Sequence, residues 1–142
     1  MRFVLISVAV TVLAAGLLAG AGCASVGSAA GLEDVDWRLA ASSVSSSDLG
    51  AAGITARFED GLVGGTGGVN SYGASYEIKR AGGIEIGIVT STLIAAVDEE
   101  ANAAEAAYFG LLPRVAGYEV EGETLTLSDA GGNVLLVFER GD

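Results

Sequence analysis

Short stretches in which apolar and polar residues alternate are the feature that most constrains how this 142-residue chain folds. In residues 54–58 the apolar side chains fall on one face, which is the pattern of a half-buried strand. The alternation recurs in residues 74–78, 84–88, 118–121 and 124–127, and residues 134–138 are apolar on both faces. Turn residues such as Asp60-Gly61 separate the stretches, and Asp-Gly readily adopts positive φ. The pattern predicts two hairpins followed by a three-stranded meander.

One segment, residues 98–112, has the period of a helix instead. Its predicted buried face consists of Ala101, Ala104, Tyr108 and Leu111. Asp98 is the expected N-cap, Pro113 is expected to end the helix, and Glu99, Glu100 and Glu105 are expected mostly on other faces. Residues 40–53, rich in Ala and Ser, predict a mobile surface loop. The expected fold class is therefore α+β and mostly antiparallel β, as a twisted sheet or partly open barrel with one amphipathic helix.

The N-terminus carries a signal of export. Residues 3–22 are apolar apart from Ser7 and Thr11, and they end in small residues directly before the only cysteine, Cys23. This arrangement resembles the bacterial lipobox, in which the cysteine is acylated after the signal is removed. An uncleaved membrane anchor and simple secretion are the other two interpretations, because about 20 apolar residues can span a bilayer.

The lipobox interpretation divides the chain into three parts. Residues 1–22 are the predicted signal peptide, residues 23–33 the lipidated cysteine and a flexible tether, and residues 34–142 the folded domain. The predicted location is the cell envelope, with the protein exported and held at the membrane by its lipid.

Composition argues against several classes of function. The chain has no histidine and one cysteine, which removes histidine acid/base catalysis, internal disulfides and Cys/His zinc sites. A net charge of −11 disfavours nucleic acid as a partner. The glycines at 64–68 precede neither a Gly-Lys-Ser/Thr sequence nor a helix, so they do not predict a nucleotide site. The expectation is a protein that is not an enzyme and that uses neither a cofactor nor a metal.

Two segments carry a family resemblance. Residues 65–76 read GTGGVNSYGASY and residues 92–96 read TLIAA. Over about residues 35–139 the chain resembles the META domain (HslJ-like) family, whose characteristic pattern is G-x-x-G-C-N-x-Y-x-G-x-Y followed by T-x-M-A-C. Val69 and Ala96 occupy the two cysteine positions, and if those cysteines face each other in relatives, Val69 and Ala96 should be neighbours in the core. The resemblance implies a mostly β domain of exported or envelope bacterial proteins, with links to heat stress and novobiocin resistance and with no enzyme activity.

The motif and the polar residues just before the predicted helix supply the candidate binding or family-motif residues. They are Gly65, Gly67, Gly68, Asn70, Ser71, Tyr72, Tyr76, Thr90 and Thr92. The competing interpretation is structural: Asn70 would stabilise its own turn, and Thr90 and Thr92 would be strand-end or helix-capping residues.

Two hypotheses of function follow. The first is a non-catalytic envelope lipoprotein whose META-like domain binds another envelope component and supports stress or antibiotic tolerance. The alternative is a small-molecule binding module, secreted or membrane-anchored, with a cavity inside a partly open barrel lined by residues such as Phe58, Tyr72 and Tyr76.

Overall fold

The computed structural model describes residues 30–43 and 49–142 of the chain. The signal peptide and Cys23 predicted from the sequence lie outside the described residues. The strands are β1 (Asp36–Ser42), β2 (Thr55–Glu59), β3 (Leu62–Thr66), β4 (Ser71–Ile78), β5 (Ile84–Ile86), β6 (Thr90–Ser91), β7 (Gly117–Glu121), β8 (Thr124–Ser128) and β9 (Val134–Arg140). A single α-helix in the described part, α1 (Glu99–Leu111), lies between β6 and β7, and short 3-10 turns occupy Leu49–Ala52, Arg80–Gly82 and Leu112–Arg114.

All strands belong to one antiparallel sheet, in the order β5-β4-β3-β2-β1-β9-β8-β7. β6 pairs with β4, on the same side of β4 as β5. The two ends of the sheet approach each other, because Gly83 bridges to Gly117 and the Ile84 N–H donates to the Ala116 carbonyl at 3.0 Å. The sheet therefore nearly closes into a barrel, which confirms the predicted fold class.

The hairpins follow the sequence pattern. Asp60 and Gly61 have φ values of 50° and 78°, and they form the two-residue turn between β2 and β3. A turn with two positive φ values matches the right-handed twist of the flanking strands. The second hairpin, β4–β5, and the meander β7–β8–β9 also form as predicted.

Large side chains fill the inside of the barrel. The largest fully buried ones are Trp37, Tyr108, Phe58, Phe138, Leu32, Leu39, Leu49, Ile54, Ile84, Leu112, Leu125 and Leu127. An eight-strand ring is just wide enough for side chains to fill. The period-2 alternation therefore places these residues in one continuous core.

Helix α1 lies across one end of the barrel. The Tyr108 ring contacts Tyr72 on β4 and Phe138 on β9, at centroid distances of 5.5 and 6.5 Å. These strands are four places apart in the order of eight, so they form opposite walls. The Asp98 carboxylate accepts the Glu100 N–H at 2.9 Å, as expected of the N-cap. The helix ends at Leu111, and Pro113 lies in the 3-10 turn that follows.

The chain that precedes β1 packs at the other end of the barrel. Leu32 is fully buried, and its carbonyl accepts the Trp37 Nε1–H at 3.0 Å. Glu33 bridges to Phe58, and its carboxylate accepts the Tyr76 hydroxyl. The predicted flexible tether, residues 23–33, is therefore wrong at its last two residues. The small residues that precede Leu32 give no indication that it is buried. Its burial depends on packing near Trp37 of β1, which lies outside this run of small residues.

The mobile loop predicted over residues 40–53 is also wrong at both ends. Strand β1 continues to Ser42, where Ala41 and Ser42 pair with Val137 and Leu136 of β9. Leu49 is buried and begins a 3-10 turn, and residues 44–48 lie outside the described residues. Small residues have weak strand preference, and here the partner strand decides the conformation.

Candidate functional site

The structure brings the glycine-rich run and the segment before α1 together around Asn70. This side chain is 5% exposed. Its oxygen accepts the Thr92 hydroxyl and the Ile94 N–H, both at 2.7 Å. Its nitrogen donates to the Ile94 carbonyl at 2.9 Å and to Glu105 Oε1 at 2.5 Å. Because both donors and both acceptor positions are used, Asn70 has a structural role and offers no free polar group to a ligand.

Glu105 fastens the helix to the same run. It is 7% exposed, and its Oε2 accepts the N–H groups of Val69 and Asn70 at 3.0 and 2.5 Å. The expectation that Glu105 lies mostly away from the buried face is wrong. A signal was available in the sequence: residue 105 is four positions after Ala101 and three before Tyr108, so it shares their face.

The predicted site glycines permit close approach. A Cβ on Gly67 would lie 2.7 Å from Phe109 Cζ and 2.8 Å from Glu105 Oε2, closer than packed atoms allow. Gly68 has a φ of 107°, which favours glycine, and Gly65 lies against the backbone of Thr55. These glycines therefore allow α1 and β2 to contact the run.

The aromatic residues proposed for a ligand cavity are packed together instead. Phe58 and Tyr76 meet edge to face at a centroid distance of 5.2 Å, and both are buried. The Tyr72 hydroxyl donates to the Thr55 carbonyl at 3.0 Å and lies 2.6 Å from the Tyr108 hydroxyl. Burial raises the pKa of Tyr72 to about 12 and raises the pKa of Tyr108 well above its usual value. The predicted cavity lined by Phe58, Tyr72 and Tyr76 is wrong, because these side chains fill the core themselves.

The remaining motif residues lie at the surface. Ser71, Thr90 and Thr92 are exposed, and the Thr90 hydroxyl donates to the Gly73 carbonyl at 3.2 Å. Val69 and Ala96 are only half-buried, so the expectation that they are core neighbours is wrong. Each is held by its backbone: the Val69 N–H reaches Glu105, and the Ala96 N–H donates to Asn102 Oδ1 at 3.0 Å.

Next to this polar cluster lies a feature that sequence reasoning missed, which we call the exposed apolar segment, residues 88–97. Ile88 is 88% exposed, Leu93 97% and Ile94 64%, and Val97 is fully exposed. The segment contains no charged residue. Hydrogen bonds hold it in place, to Asn70 at residues 92 and 94 and to Asn102 at residue 96. The exposed side chains are thus presented from a fixed backbone.

Two open hollows lie between this segment and α1, with volumes of about 570 and 340 Å³. Ser91 and Phe109 line both, so the hollows adjoin. The larger is lined mainly by apolar residues, which are Ile86, Ile88, Val89, Phe109 and Pro113. The smaller includes Leu93, Ile94, Ala95, Ala106 and Phe109. Together with the exposed side chains they form a surface suited to burying apolar groups.

The two hollows are lined by few charged groups. Among the residues that line the two hollows, one is charged: Glu105, in the smaller hollow. Both of its carboxylate oxygens already accept hydrogen bonds. Within residues 30–43 and 49–142, no group of three or more His, Cys, Asp or Glu residues is placed to hold a metal ion. In the same described residues, no helix has both the length and the apolar character to span a membrane.

The fold and the polar cluster around Asn70 define a class of small antiparallel barrel domain. A helix covers one end of the barrel, and its buried Glu105 carboxylate binds the backbone of the glycine-rich run at Val69 and Asn70. The family model of the META domain matches residues 30–142, and the chain belongs to this family. The predicted resemblance is thereby confirmed.

Solved structures share the fold. An NMR structure of a protein from Burkholderia xenovorans is 23% identical, with a TM-score of 0.59, and the match covers 78% of this chain and 83% of that one. A crystal structure of a DUF4847 family protein from Bacteroides vulgatus is 12% identical, with a TM-score of 0.56, covering 80% and 99% of the two chains. No curated protein matches the sequence significantly. At these identities the likeness concerns the fold alone.

Proposed function

We propose that this chain is a non-catalytic envelope lipoprotein, anchored through Cys23, whose META domain binds another envelope component and so supports stress or antibiotic tolerance. The observation that carries the proposal is the exposed apolar segment. Exposed apolar side chains that cluster beside polar residues are typical of interaction sites. The hydrogen bonds from Asn70 and Asn102 keep the segment in one conformation, which lowers the entropy cost of binding.

The chain that would carry the lipid enters the barrel at the end opposite α1. Leu32 packs at the end of the barrel opposite α1, and Cys23 precedes it by nine positions. Nine residues span at most about 30 Å, so the anchor would keep the domain near the bilayer. The exposed apolar segment, beside α1, is then free to face a partner.

Complementation of a deletion strain tests both parts. The strain receives the wild-type chain, the Cys23→Ala variant, or a Leu93→Ser/Val97→Ser double variant, and growth is measured under heat and antibiotic stress. Val134→Ser is the matched control, because Val134 is exposed on β9, which lies four places from β4 in the sheet. We expect the Cys23→Ala variant to be lost from the membrane fraction and the double variant to remain in it. Both variants should fail to restore tolerance. Full tolerance with the double variant would contradict binding through this surface.

The larger hollow supports the small-molecule alternative. Its volume of about 570 Å³ lies within the range of ligand pockets, and its lining is mostly apolar. A panel of apolar small molecules would raise the melting temperature of the wild-type chain but not that of an Ile88→Ser variant. Equal shifts for the two proteins would argue against this hollow as the ligand site.

A further inference from the structure

The outer edge of β6 is open in the described part of the chain. The Thr92 N–H donates to the Ser71 carbonyl at 3.0 Å, whereas Ser91 lies opposite Tyr72. Because hydrogen-bonded and non-hydrogen-bonded pairs alternate in an antiparallel ladder, Ser91 directs its N–H and C=O away from β4. The Ile94 N–H points inward to Asn70, so Leu93, between Thr92 and Ile94, also directs its backbone outward.

Space is available beside this edge. Ser91 lines both hollows, and Phe109 of α1 forms a common border on their far side. The hollows thus form a groove between β6 and the helix. A strand requires about 4.8 Å beside its neighbour, and its apolar side chains would enter the two hollows.

The edge lacks most of the features that protect sheet edges from pairing. Natural edges commonly carry lysine, proline or inward-pointing charges, and residues 87–97 contain none of these. β6 is also flanked by exposed apolar side chains, with Ile88 on one side and Leu93 on the other.

Three acidic residues follow the C-terminal end of the exposed apolar segment. Asp98, Glu99 and Glu100 are all exposed, and they follow Val97 directly. The whole chain has a net charge of −11. Basic side chains on an incoming segment would therefore be attracted, and acidic ones repelled.

From these observations we infer that β6 accepts an extended segment of a partner protein as an added strand, and that this segment combines apolar side chains with lysine or arginine near Asp98–Glu100. Main-chain hydrogen bonds to Ser91 and Leu93 supply affinity, and the hollows and the acidic residues supply specificity. The inference rests on the proposed function, since it specifies how the same surface binds its partner.

The probe is a fluorescent peptide of nine residues with blocked ends, alternating valine and threonine, with two lysines at its N-terminal end. In an antiparallel addition this end lies beside Asp98–Glu100. The control peptide has glutamates in place of the lysines. Binding is measured by anisotropy with the full chain in phosphatidylcholine nanodiscs, with empty nanodiscs as the blank. We expect the lysine peptide to bind at least tenfold more tightly, and the difference to shrink in 0.5 M salt.

Backbone variants separate strand addition from side-chain docking. Ser91→Pro removes the outward N–H without removing a bond to β4, whereas Ser91→Ala retains that N–H. We expect about tenfold weaker binding for Ser91→Pro and unchanged binding for Ser91→Ala. Leu93→Pro, compared with Leu93→Ala, repeats the test if the first variant folds poorly by circular dichroism.

Each other outcome overturns the inference. If neither peptide binds, or if both bind equally, the proposed partner chemistry is wrong. If the proline variants bind normally while Leu93→Ser/Val97→Ser does not, the surface binds partners without strand addition, and the proposed function survives. If the chain self-associates and Ser91→Pro abolishes this, the occupant of the edge is a second copy.

Discussion

Both oxygens of the Glu105 carboxylate accept hydrogen bonds inside the domain. Oε2 receives two backbone N–H groups, and Oε1 receives the amide of Asn70. A carboxylate can accept at both oxygens, whereas an amide can accept at only one. The requirement for an acid at position 105 is therefore structural.

Replacing Glu105 with glutamine should destabilise the domain by about 1–3 kcal/mol, because the new NH₂ group must face a donor whichever way it is oriented. Urea unfolding measures the change. Glu119→Gln, on an exposed position of β7, is the matched control and should have little effect. Equal stabilities of the two variants would mean that the Glu105 bonds contribute little.

Gly67 is a second residue whose identity is fixed by its surroundings. In Gly67→Ala the added methyl group would meet Phe109 and Glu105, and we expect a loss of about 1–3 kcal/mol from overpacking. Gly110→Ala is the control, because that position lies in α1 with nothing within 4 Å of the new Cβ. The control should gain about 0.5–1 kcal/mol from helix propensity. Thermal and urea unfolding of both variants would test the opposite signs, and a stabilised Gly67→Ala would refute the packing argument.

At the scale of elements, a pair of tyrosines joins α1 to the barrel. The Tyr72 hydroxyl donates its one proton to the Thr55 carbonyl, so the Tyr108 hydroxyl must be the donor in the 2.6 Å bond between them. The helix is thereby linked through β4 to β2. Because of the direction of these bonds, removal of the two hydroxyl groups should have unequal effects on stability.

Tyr72→Phe should cost more stability than Tyr108→Phe. The first leaves the fully buried Tyr108 hydroxyl without an acceptor, a loss of about 1–3 kcal/mol, whereas the second leaves Tyr72 bonded to Thr55 and costs about 0.5–1.5 kcal/mol. Unfolding free energies of the two variants decide this. The reverse order would mean that the proton is shared in the other direction.

At the scale of the whole molecule, the buried tyrosines should make the domain sensitive to alkali. In the unfolded chain Tyr108 ionises near pH 10, but burial raises its pKa well above that value in the folded domain. Above pH 10 the unfolded state therefore binds fewer protons, and stability falls as pH rises. The contribution of Tyr108 to the free energy of unfolding is therefore fully present below pH 10 and is lost at higher pH.

The free energy of unfolding of the wild-type chain should thus decrease more steeply than that of Tyr108→Phe between pH 10 and 11.5. The difference in slope should approach about 1.4 kcal/mol per pH unit, the value for one proton. Urea unfolding across this range measures both slopes. Parallel curves would show that Tyr108 ionises alike in both states.

The packed N-terminal end predicts where the folded unit begins. A chain starting at residue 31 should keep the stability of the domain, whereas one starting at residue 34 loses Leu32 and the acceptor of the Trp37 indole N–H. We expect a difference of about 2–5 kcal/mol, as for the loss of a buried leucine side chain. Equal melting temperatures would instead place the boundary after Glu33.

Much of this fold followed from local pattern. The sequence alone predicted β2, β4, β5, β7, β8 and β9, the Asp60-Gly61 turn and α1 with its Asp98 cap, because these depend on residues within a few positions of one another. It did not predict β1, whose last residues are held as a strand by pairing with β9. The family motif likewise identified Asn70 and the glycines, although not what they contact.

Tertiary structure decided the rest, because those features join residues far apart in the chain. Asn70 and Glu105 are separated by 35 positions, and Gly83 meets Gly117 only when the barrel closes. The burial of Leu32 depends on Trp37 in β1. The open edge of β6 arises because, in the described residues, β6 pairs only with β4. Periodicity tells which face of a segment is apolar; whether that face is covered depends on the other segments packed against it.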